Sequence, residues 1–460
     1  MKTKLLGYII ITILSGFLFY SCSSDDKDGA DSTNRKIDVV PFYEMPEEKP
    51  IADKDRNEFE RQCKTFYDTV LSMSGFNGGI IVAKNGRIVF EKYKGSVNLD
   101  GADSITSSTP FHIASVSKTF TAMAILKLQE QGKLLVTDTL TKYFSDFAYP
   151  TITIKDLLSH RSGLPNYLYF MTELKWPKDS IIQNNDVLNW LNIKKPLIKD
   201  LWPANTKFTY NNTNYVLLAL IIEKISGISY PEFMRKNVFN PLKMTNTFVH
   251  CKGDTNTRSK SFDWKGRVIL DNNLDQTYGD KNIYSTPRDL LKWDRALTHN
   301  VFLSAPTLAT AYAPYSNEKP GIKNYGYGWR MNIYGEEKKI IFHNGWWHGN
   351  NATFVRLIKE DATIIAVSNR FTRQTYGAKL LVNVFGNYFD PIGEDSENIV
   401  PSAIPETFTE GQAQIRTGKT ADTSSRFDDR YRKKTDKKQV PVKPTKSDGE
   451  RFSDRNKKEE

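Results

Sequence analysis

The hydrophobic and polar positions of the chain repeat with two different periods between residues 55 and 389. In NEFERQCKTFYDTVLSM (57–73), apolar residues recur every three or four positions, which is the spacing of one face of a helix. In GGIIVAKNGRIVFEKY (78–93), two β-favouring runs flank Asn85 and Gly86, a pair that tolerates the positive φ angles of a tight hairpin turn. The pattern therefore predicts a helix followed by a β-hairpin.

The pattern changes in the middle of the chain and changes back near its end. It is largely helical after Ser115, as in LLALIIEKISG and TPRDLLKWDRAL, and strand-like again in GYGWRMNIY, KKIIFHNG and the hairpin NATFVRLIKEDATIIAVSN. The segment QTYGAKLLVNVFGNYF then closes the domain with a helical pattern. We therefore predict an α+β domain over 55–395, with an antiparallel sheet built from both chain ends, flanking helices and an inserted, mostly helical subdomain at about 120–290. A cleft between the two parts is the expected place for a site.

The N-terminus has the layout of a lipoprotein signal peptide over residues 1–21. Two lysines precede an apolar run that ends just before Cys22, the predicted lipidation site. The run is short for a membrane span, and a transmembrane anchor is the alternative. Residues 22–54 are polar and suit a tether. The acidic stretch after Cys22 resembles the export tag of surface lipoproteins of the Bacteroides group, which implies anchoring in the outer membrane, facing the periplasm or the cell surface.

The formal charge of +11 comes mainly from the end of the chain. Residues 411–460 hold 15 Lys and Arg against 9 Asp and Glu. With few apolar groups to bury, residues 396–460 are predicted to be a basic, disordered tail. The remaining sequence is nearly balanced in charge, which argues against a nucleic-acid partner.

Three cysteines are present, and lipidation of Cys22 leaves Cys63 and Cys251. In an oxidising compartment these two can form a disulfide, or they can be two separately buried thiols. The sequence leaves both possibilities open, and it leaves the oligomeric state open as well.

Candidate chemistry begins with Ser115 and Lys118, an S-x-x-K pair in HIASVSKTFTAMAILK. Spacing of i and i+3 puts both side chains on one helix face, so an amine can sit beside the hydroxyl. Ser115 is predicted in the first turn of the helix, where free backbone N–H groups favour negative charge on oxygen. A serine needs a base to become a nucleophile, and Lys118 is the candidate. A free lysine amine has a pKa of about 10.4, so burial has to favour its neutral form.

The S-x-x-K spacing alone is weak evidence, because it recurs at Ser24/Lys27 and Ser316/Lys319. Those two pairs lie in polar segments that no helical pattern follows. For Ser115, the alternative to catalysis is an ordinary helix N-terminus.

A second candidate set is Tyr210 and Asn212 in KFTYNNTNY. A tyrosine hydroxyl can relay a proton, and an asparagine two places on can orient the lysine or bind a substrate amide. Asn211 or Asn214 is better interpreted as a cap of the following helix.

The third set is His343, Gly345 and Trp346 in KIIFHNGWWHGNN, at the end of a predicted strand. An imidazole can bind a substrate carboxylate or polarise the tyrosine, and a glycine lets a substrate approach the backbone closely. The amides of Trp346 and Ser115 can form an oxyanion hole. His348, like His160 in LLSHRSGLPNY, is interpreted as structural.

Taken together, these motifs resemble the β-lactamase-related serine hydrolases, over most of residues 60–390. That family includes class C β-lactamases, D-alanyl-D-alanine peptidases and related esterases. The resemblance implies the β-lactamase/transpeptidase-like fold and a small peptide, ester or β-lactam substrate that acylates Ser115. It also implies that Lys118 and Tyr210 share the proton transfers, without deciding which is the base.

One position departs from the family pattern. Class C β-lactamases and penicillin-binding proteins typically carry a lysine where this chain has His343, and an unperturbed histidine is mostly neutral at pH 7. We therefore expect a D-amino-acid peptidase, an amidase or an esterase, with a β-lactamase as the alternative. A protein that binds peptidoglycan peptides without turnover is the alternative from another class.

No metal or other cofactor is expected. The six histidines show no ligand spacing with acidic residues, and no glycine-rich phosphate loop follows a strand.

Overall fold

A computed structural model describes residues 40–99, 101–197, 202–251, 258–335 and 338–388. The predicted signal peptide, Cys22 and the basic tail lie outside these ranges. In the described ranges no helix is both long and apolar enough to cross a membrane.

The longer elements follow one another in the order that the hydrophobic pattern predicts, whereas the strands of two or three residues between Phe248 and Ser285 were not predicted. The α-helices are α1 (Asp53–Phe66), α2 (Ser117–Glu130), α3 (Ile154–Leu158), α4 (Tyr167–Glu173), α5 (Asn184–Lys194), α6 (Asn212–Ser226), α7 (Tyr230–Met234), α8 (Pro287–Thr298), α9 (Ala305–Ala311) and α10 (Gln374–Gly377). The strands are β1 (Gly78–Lys84), β2 (Arg87–Lys94), β3 (Phe111–His112), β4 (Phe248–Val249), β5 (Ser261–Phe262), β6 (Val268–Ile269), β7 (Ile283–Ser285), β8 (Lys323–Tyr325), β9 (Arg330–Tyr334), β10 (Lys338–Trp347), β11 (Asn350–Leu357) and β12 (Ala362–Ser368).

The main sheet of the described chain has seven strands in the order β2-β1-β12-β11-β10-β9-β8, all paired antiparallel. Strands from the start of the domain thus lie beside strands from its end, and the predicted α+β architecture is confirmed. Both predicted hairpins form. Asn85 and Gly86, which turn the first one, have φ angles of +50° and +71°.

Both faces of this sheet are covered. In β1, Ile80 and Val82 point to a core beneath α1 and the 3-10 segment Ala378–Val384. Ile81 and Ala83 point to the opposite core, which contains α2, α6 and the other helices between β3 and β8 (the helical region). Alternate side chains of a strand face opposite sides, so a strand with two covered faces becomes a continuous apolar run. This explains why GGIIVA lacks polar alternation.

Two helices of the helical region are buried on nearly all sides. In α2 almost every residue from Ser117 to Leu126 is buried, and α6 is similar from Thr213 to Ile222. The side chain of Asn211 caps α6 by accepting the N–H of Thr213 at 2.9 Å, as the sequence predicts. Asn214 is instead buried inside α6, where its Oδ1 accepts a hydrogen bond from Ser162.

The two described cysteines are not joined to one another. Cys63 is buried on α1, and burial raises the pKa of its thiol. Cys251 is half-buried just after β4. The structure therefore matches the thiol alternative for Cys63 rather than a disulfide.

Candidate active site

Ser115 lies in a 3-10 turn, Ala114–Val116, that leads directly into α2. The sequence placed it in the first α-helical turn, so this detail is corrected. The reason is Ala114, whose φ of +47° is uncommon for a residue with a Cβ and is incompatible with a regular helix. The imidazole of His112 supports the turn by accepting the Ala114 N–H at 3.1 Å. Burial lowers the pKa of His112 to about 3, which keeps that acceptor available.

The amine of Lys118 is surrounded by three oxygens. Its Nζ lies 3.0 Å from Ser115 Oγ, 2.8 Å from Asn212 Oδ1 and 2.8 Å from the carbonyl oxygen of Asp280. The amide and carbonyl oxygens can only accept. Ser115 Oγ is the one of the three oxygens that also carries a proton. The geometry therefore places the amine within proton-transfer distance of the serine hydroxyl.

Asn212 and Tyr210 occupy different places around this amine. Asn212 is the first residue of α6 and binds Lys118, which is the lysine-orienting role that the sequence left open beside amide binding. The ring centre of Tyr210 is 5.1 Å from Lys118 Nζ. Within the described part of the chain, the Tyr210 hydroxyl forms no hydrogen bond, and the residue is partly exposed.

Gly345 is required by a close contact between β10 and the turn that carries Ser115. A Cβ at this position would lie 2.2 Å from the carbonyl oxygen of Ile113 and 3.1 Å from the Cβ of Ala114. The sequence attributed this glycine to close approach by a substrate, whereas the group that approaches it is the protein's own backbone. The hydroxyl of Tyr376 holds the strand there by donating to the Gly345 carbonyl at 3.0 Å.

The amide of Trp346 points away from β11. Trp347 pairs with Asn350 across a two-residue turn, so Trp346 and its partner Asn351 occupy a non-hydrogen-bonded position of the antiparallel ladder. Pairing with β9 ends at Phe342. The Trp346 N–H is thus left for another acceptor, one residue beyond the contact of Gly345 with the serine turn. The Trp346 side chain is 58% exposed.

His343 is completely buried behind Tyr210, at a ring-centre separation of 6.1 Å. Its Nε2 bonds the hydroxyl of Tyr325 at 3.2 Å, and its Nδ1 bonds the carbonyl of Asn344 at 2.8 Å. Burial, followed by the charges of Arg330 and Lys118, holds the pKa of His343 well below its ordinary value. Both ring nitrogens are therefore engaged, and this placement gives no support to direct binding of a substrate carboxylate.

Arg330 is a group that the sequence reasoning missed. It is partly exposed on β9, and its guanidinium carbon lies 4.8 Å from the centre of the Tyr210 ring. Among the residues that the structure describes, no carboxylate forms an ion pair with it. A permanent cation thus faces the site although His343 is neutral. The sequence feature that could have identified Arg330 is its position directly after YGYGW, on a strand that pairs with β10.

His348 was interpreted from the sequence as a structural residue. Its Nε2 bonds the carboxylate of Asp275 at 3.0 Å, in agreement with that role. Asp280, in contrast, is a second group of the site that the sequence reasoning missed. Asp280 contacts Lys118 through its backbone, so no side-chain pattern could reveal it. Its neighbour Lys281 is also buried, 3.6 Å from the Asp280 carboxylate.

The fold and the site together define a serine hydrolase in which the turn that carries Ser115 packs against β10 of the antiparallel sheet. Residues 70–385, well over half of the chain, match the model of the Beta-lactamase family. The chain belongs to that family.

Named relatives agree with this assignment. The chain is 29% identical over 338 residues to penicillin-binding protein 4* of Bacillus subtilis (strain 168), covering 70% of this chain and 74% of that protein. A penicillin binding protein from Bacillus halodurans superposes with a TM-score of 0.60 at 22% identity, covering 70% of this chain and 98% of that one. D-amino acid amidase from Ochrobactrum anthropi SV3, in a complex with L-phenylalanine, gives 0.58 at 21% identity, covering 72% and 97%.

Proposed function

We propose that this chain hydrolyses the terminal amide bond of short D-amino-acid peptides through an acyl-enzyme on Ser115. The proposal depends on the 3.0 Å distance between Ser115 Oγ and Lys118 Nζ. The other two oxygens that Nζ contacts, Asn212 Oδ1 and the Asp280 carbonyl, can only accept hydrogen bonds. An ordinary helix N-terminus does not need a buried lysine aimed at its serine.

The proposed reaction has three steps. Lys118 takes the proton of Ser115 as Oγ attacks the amide carbon, while the amides of Ser115 and Trp346 hold the oxyanion. The C–N bond then breaks, the leaving amine takes the proton of Tyr210, and Lys118 returns its proton to the phenol oxygen. Water finally hydrolyses the ester, which releases the acid and restores Ser115. The direct contact of Lys118 with Ser115 supports the lysine as the base of the first step.

Arg330 supports a substrate that carries a carboxylate. The guanidinium carbon lies 4.8 Å from the centre of the Tyr210 ring, and in the proposed reaction Tyr210 gives its proton to the leaving amine. A D-amino acid at the end of a peptide brings a carboxylate one carbon away from that amine. The names of the relatives, penicillin-binding proteins and a D-amino acid amidase, are in keeping with this class of substrate.

We also propose that the protein is exported and held at the outer membrane by a lipid on Cys22. The support is the N-terminal pattern of lysines, a short apolar run and a cysteine. Anchored in this way, a hydrolase of cell-wall peptides would work in the compartment where such peptides occur.

The test is release of D-alanine from a peptide ending in D-alanyl-D-alanine, with the L-alanyl peptide as comparison. We expect Ser115→Ala to lower the rate by about 10³-fold or more. The matched control is Ser316→Ala, which removes the serine of the other described S-x-x-K pair, where Oγ donates to Asn324 Oδ1 at 3.1 Å. Retained hydrolysis in Ser115→Ala would contradict the nucleophile assignment.

The same assay separates the alternatives. Faster hydrolysis of a cephalosporin would favour a β-lactamase, and faster hydrolysis of an ester would favour an esterase. A stable adduct without turnover would favour a peptide-binding protein.

The role of Arg330 as partner of the substrate carboxylate is tested with Arg330→Gln. This variant should lower kcat/KM about tenfold for the peptide with a free carboxylate and leave kcat/KM for the amide-capped peptide unchanged. An equal effect on both peptides would remove Arg330 as the carboxylate partner.

A further inference from the structure

A chain of three buried side chains runs behind Tyr210 and has no assigned role in the reaction proposed above. The hydroxyl of Tyr325 lies 3.2 Å from Nε2 of His160 and 3.2 Å from Nε2 of His343. All three side chains are at most 1% exposed. Buried polar atoms need partners within the protein, so each proton in this chain has a defined place.

The backbone determines the tautomers of both histidines. Nδ1 of His343 lies 2.8 Å from the carbonyl oxygen of Asn344, which can only accept, so Nδ1 carries the hydrogen and Nε2 is the acceptor. Nδ1 of His160 receives the N–H of Asn211 at 3.2 Å, so here Nε2 carries the hydrogen. The chain therefore donates in one direction, from His160 to Tyr325 and from Tyr325 to His343.

The groups around His343 explain why its charge matters. It is faced by Tyr325 from β8, Arg330 from β9, Lys118 from α2, Tyr210 from the segment before α6, and His160 beyond Tyr325. When Lys118 takes the proton of Ser115, it becomes a cation. A second cation at His343 would oppose that step, because opposition between like charges is strong in a buried site.

We propose that Tyr325 is a positioning residue that keeps His343 in one uncharged tautomer, so that the ring behind Tyr210 carries no charge when Lys118 becomes protonated. Its hydroxyl occupies the only lone pair of the His343 ring. The ring consequently can accept neither a solvent proton nor the proton of Tyr210, which remains available to the leaving group. The kinetic consequence rests on the proposed function, whereas the tautomers do not.

The tautomers are tested in the wild-type protein by long-range ¹H–¹⁵N spectra of the full chain with ¹⁵N-labelled histidine, recorded from pH 5 to pH 8. Signals are assigned with His160→Gln and His343→Gln. We expect His343 as the Nδ1–H form and His160 as the Nε2–H form, with neither titrating in this range. The opposite tautomer at either ring, or titration of His343, would overturn the proposal.

The kinetic consequence is tested with Tyr325→Phe. Without the hydroxyl, Nε2 of His343 loses its donor and can be protonated. We therefore divide the kcat/KM of Tyr325→Phe by that of the wild type at each pH. This ratio should be about tenfold lower at pH 5 than at pH 8.

The matched control is Tyr327→Phe, in the same YGYGW motif. That ring is also buried and stacks on Tyr315 at 4.4 Å. For Tyr327→Phe, the ratio of its kcat/KM to the wild-type kcat/KM should be the same at pH 5 and pH 8. A pH-independent ratio for Tyr325→Phe would show a merely structural role and overturn the proposal. If the wild type hydrolyses none of the peptides, the proposed function fails while the spectra still decide the tautomers.

Discussion

Gly345→Ala tests whether the contact between β10 and the serine turn sets the geometry of catalysis. The added Cβ would lie 2.2 Å from the Ile113 carbonyl oxygen, too short for any real contact. To relieve the overlap, the strand or the turn has to move by about 1 Å, and misplacement on that scale can cost about 100-fold in rate. Since the Trp346 amide follows directly, the loss should appear in acylation.

The assay is the rate of acylation by a small ester together with the thermal unfolding temperature. We expect the rate to fall about 100-fold while cooperative unfolding is kept. Gly377→Ala is the matched control, because its Cβ would approach nothing closer than Gln374 Oε1 at 3.4 Å. Its acylation rate should equal that of wild type. A Gly345→Ala protein that acylates at the wild-type rate would show that this contact does not set the geometry of catalysis.

Three further predictions concern the base, the pH dependence of stability and the anchor. Lys118→Met should abolish acylation with cooperative unfolding retained, and an unchanged acylation rate would exclude Lys118 as the base. His112 stays neutral in the folded state down to a pKa of about 3, whereas the unfolded chain takes up its proton near pH 6.5. The free energy of unfolding should therefore fall by about 2 kcal/mol from pH 7 to pH 5 through this group alone, as measured by urea unfolding against a His112→Asn variant with a smaller decrease. Cys22→Ser should release the exported protein from membranes, and undiminished membrane attachment in a fractionation experiment would contradict lipidation there.

The sequence predicted the architecture because it depends on patterns that individual residues carry. Asn85-Gly86 specifies a turn, and alternating runs at both chain ends specify a sheet with helices between them. The i, i+3 spacing of Ser115 and Lys118 likewise gives a contact that needs no knowledge of tertiary structure.

What the sequence could not predict depends on strand register and backbone position. Arg330 reaches Tyr210 because β9 pairs with β10, and Asp280 reaches Lys118 through a carbonyl that every residue possesses. The pattern also treats His343 as a polar residue available to a substrate. Its burial follows from the packing of Tyr210 and Tyr325 around it, which only the assembled fold determines.

Peptide-mapping mass spectrometry, after exposure of the protein to a fluorophosphonate and, separately, to a penicillin, tests most directly whether Ser115 is the nucleophile. We expect a fluorophosphonate adduct on the peptide that contains Ser115, absent from Ser115→Ala and present in Ser316→Ala. The persistence, turnover or absence of the penicillin adduct would then distinguish peptidase, β-lactamase and esterase behaviour. An adduct on another residue, or no adduct from either reagent, would show that Ser115 is not the nucleophile.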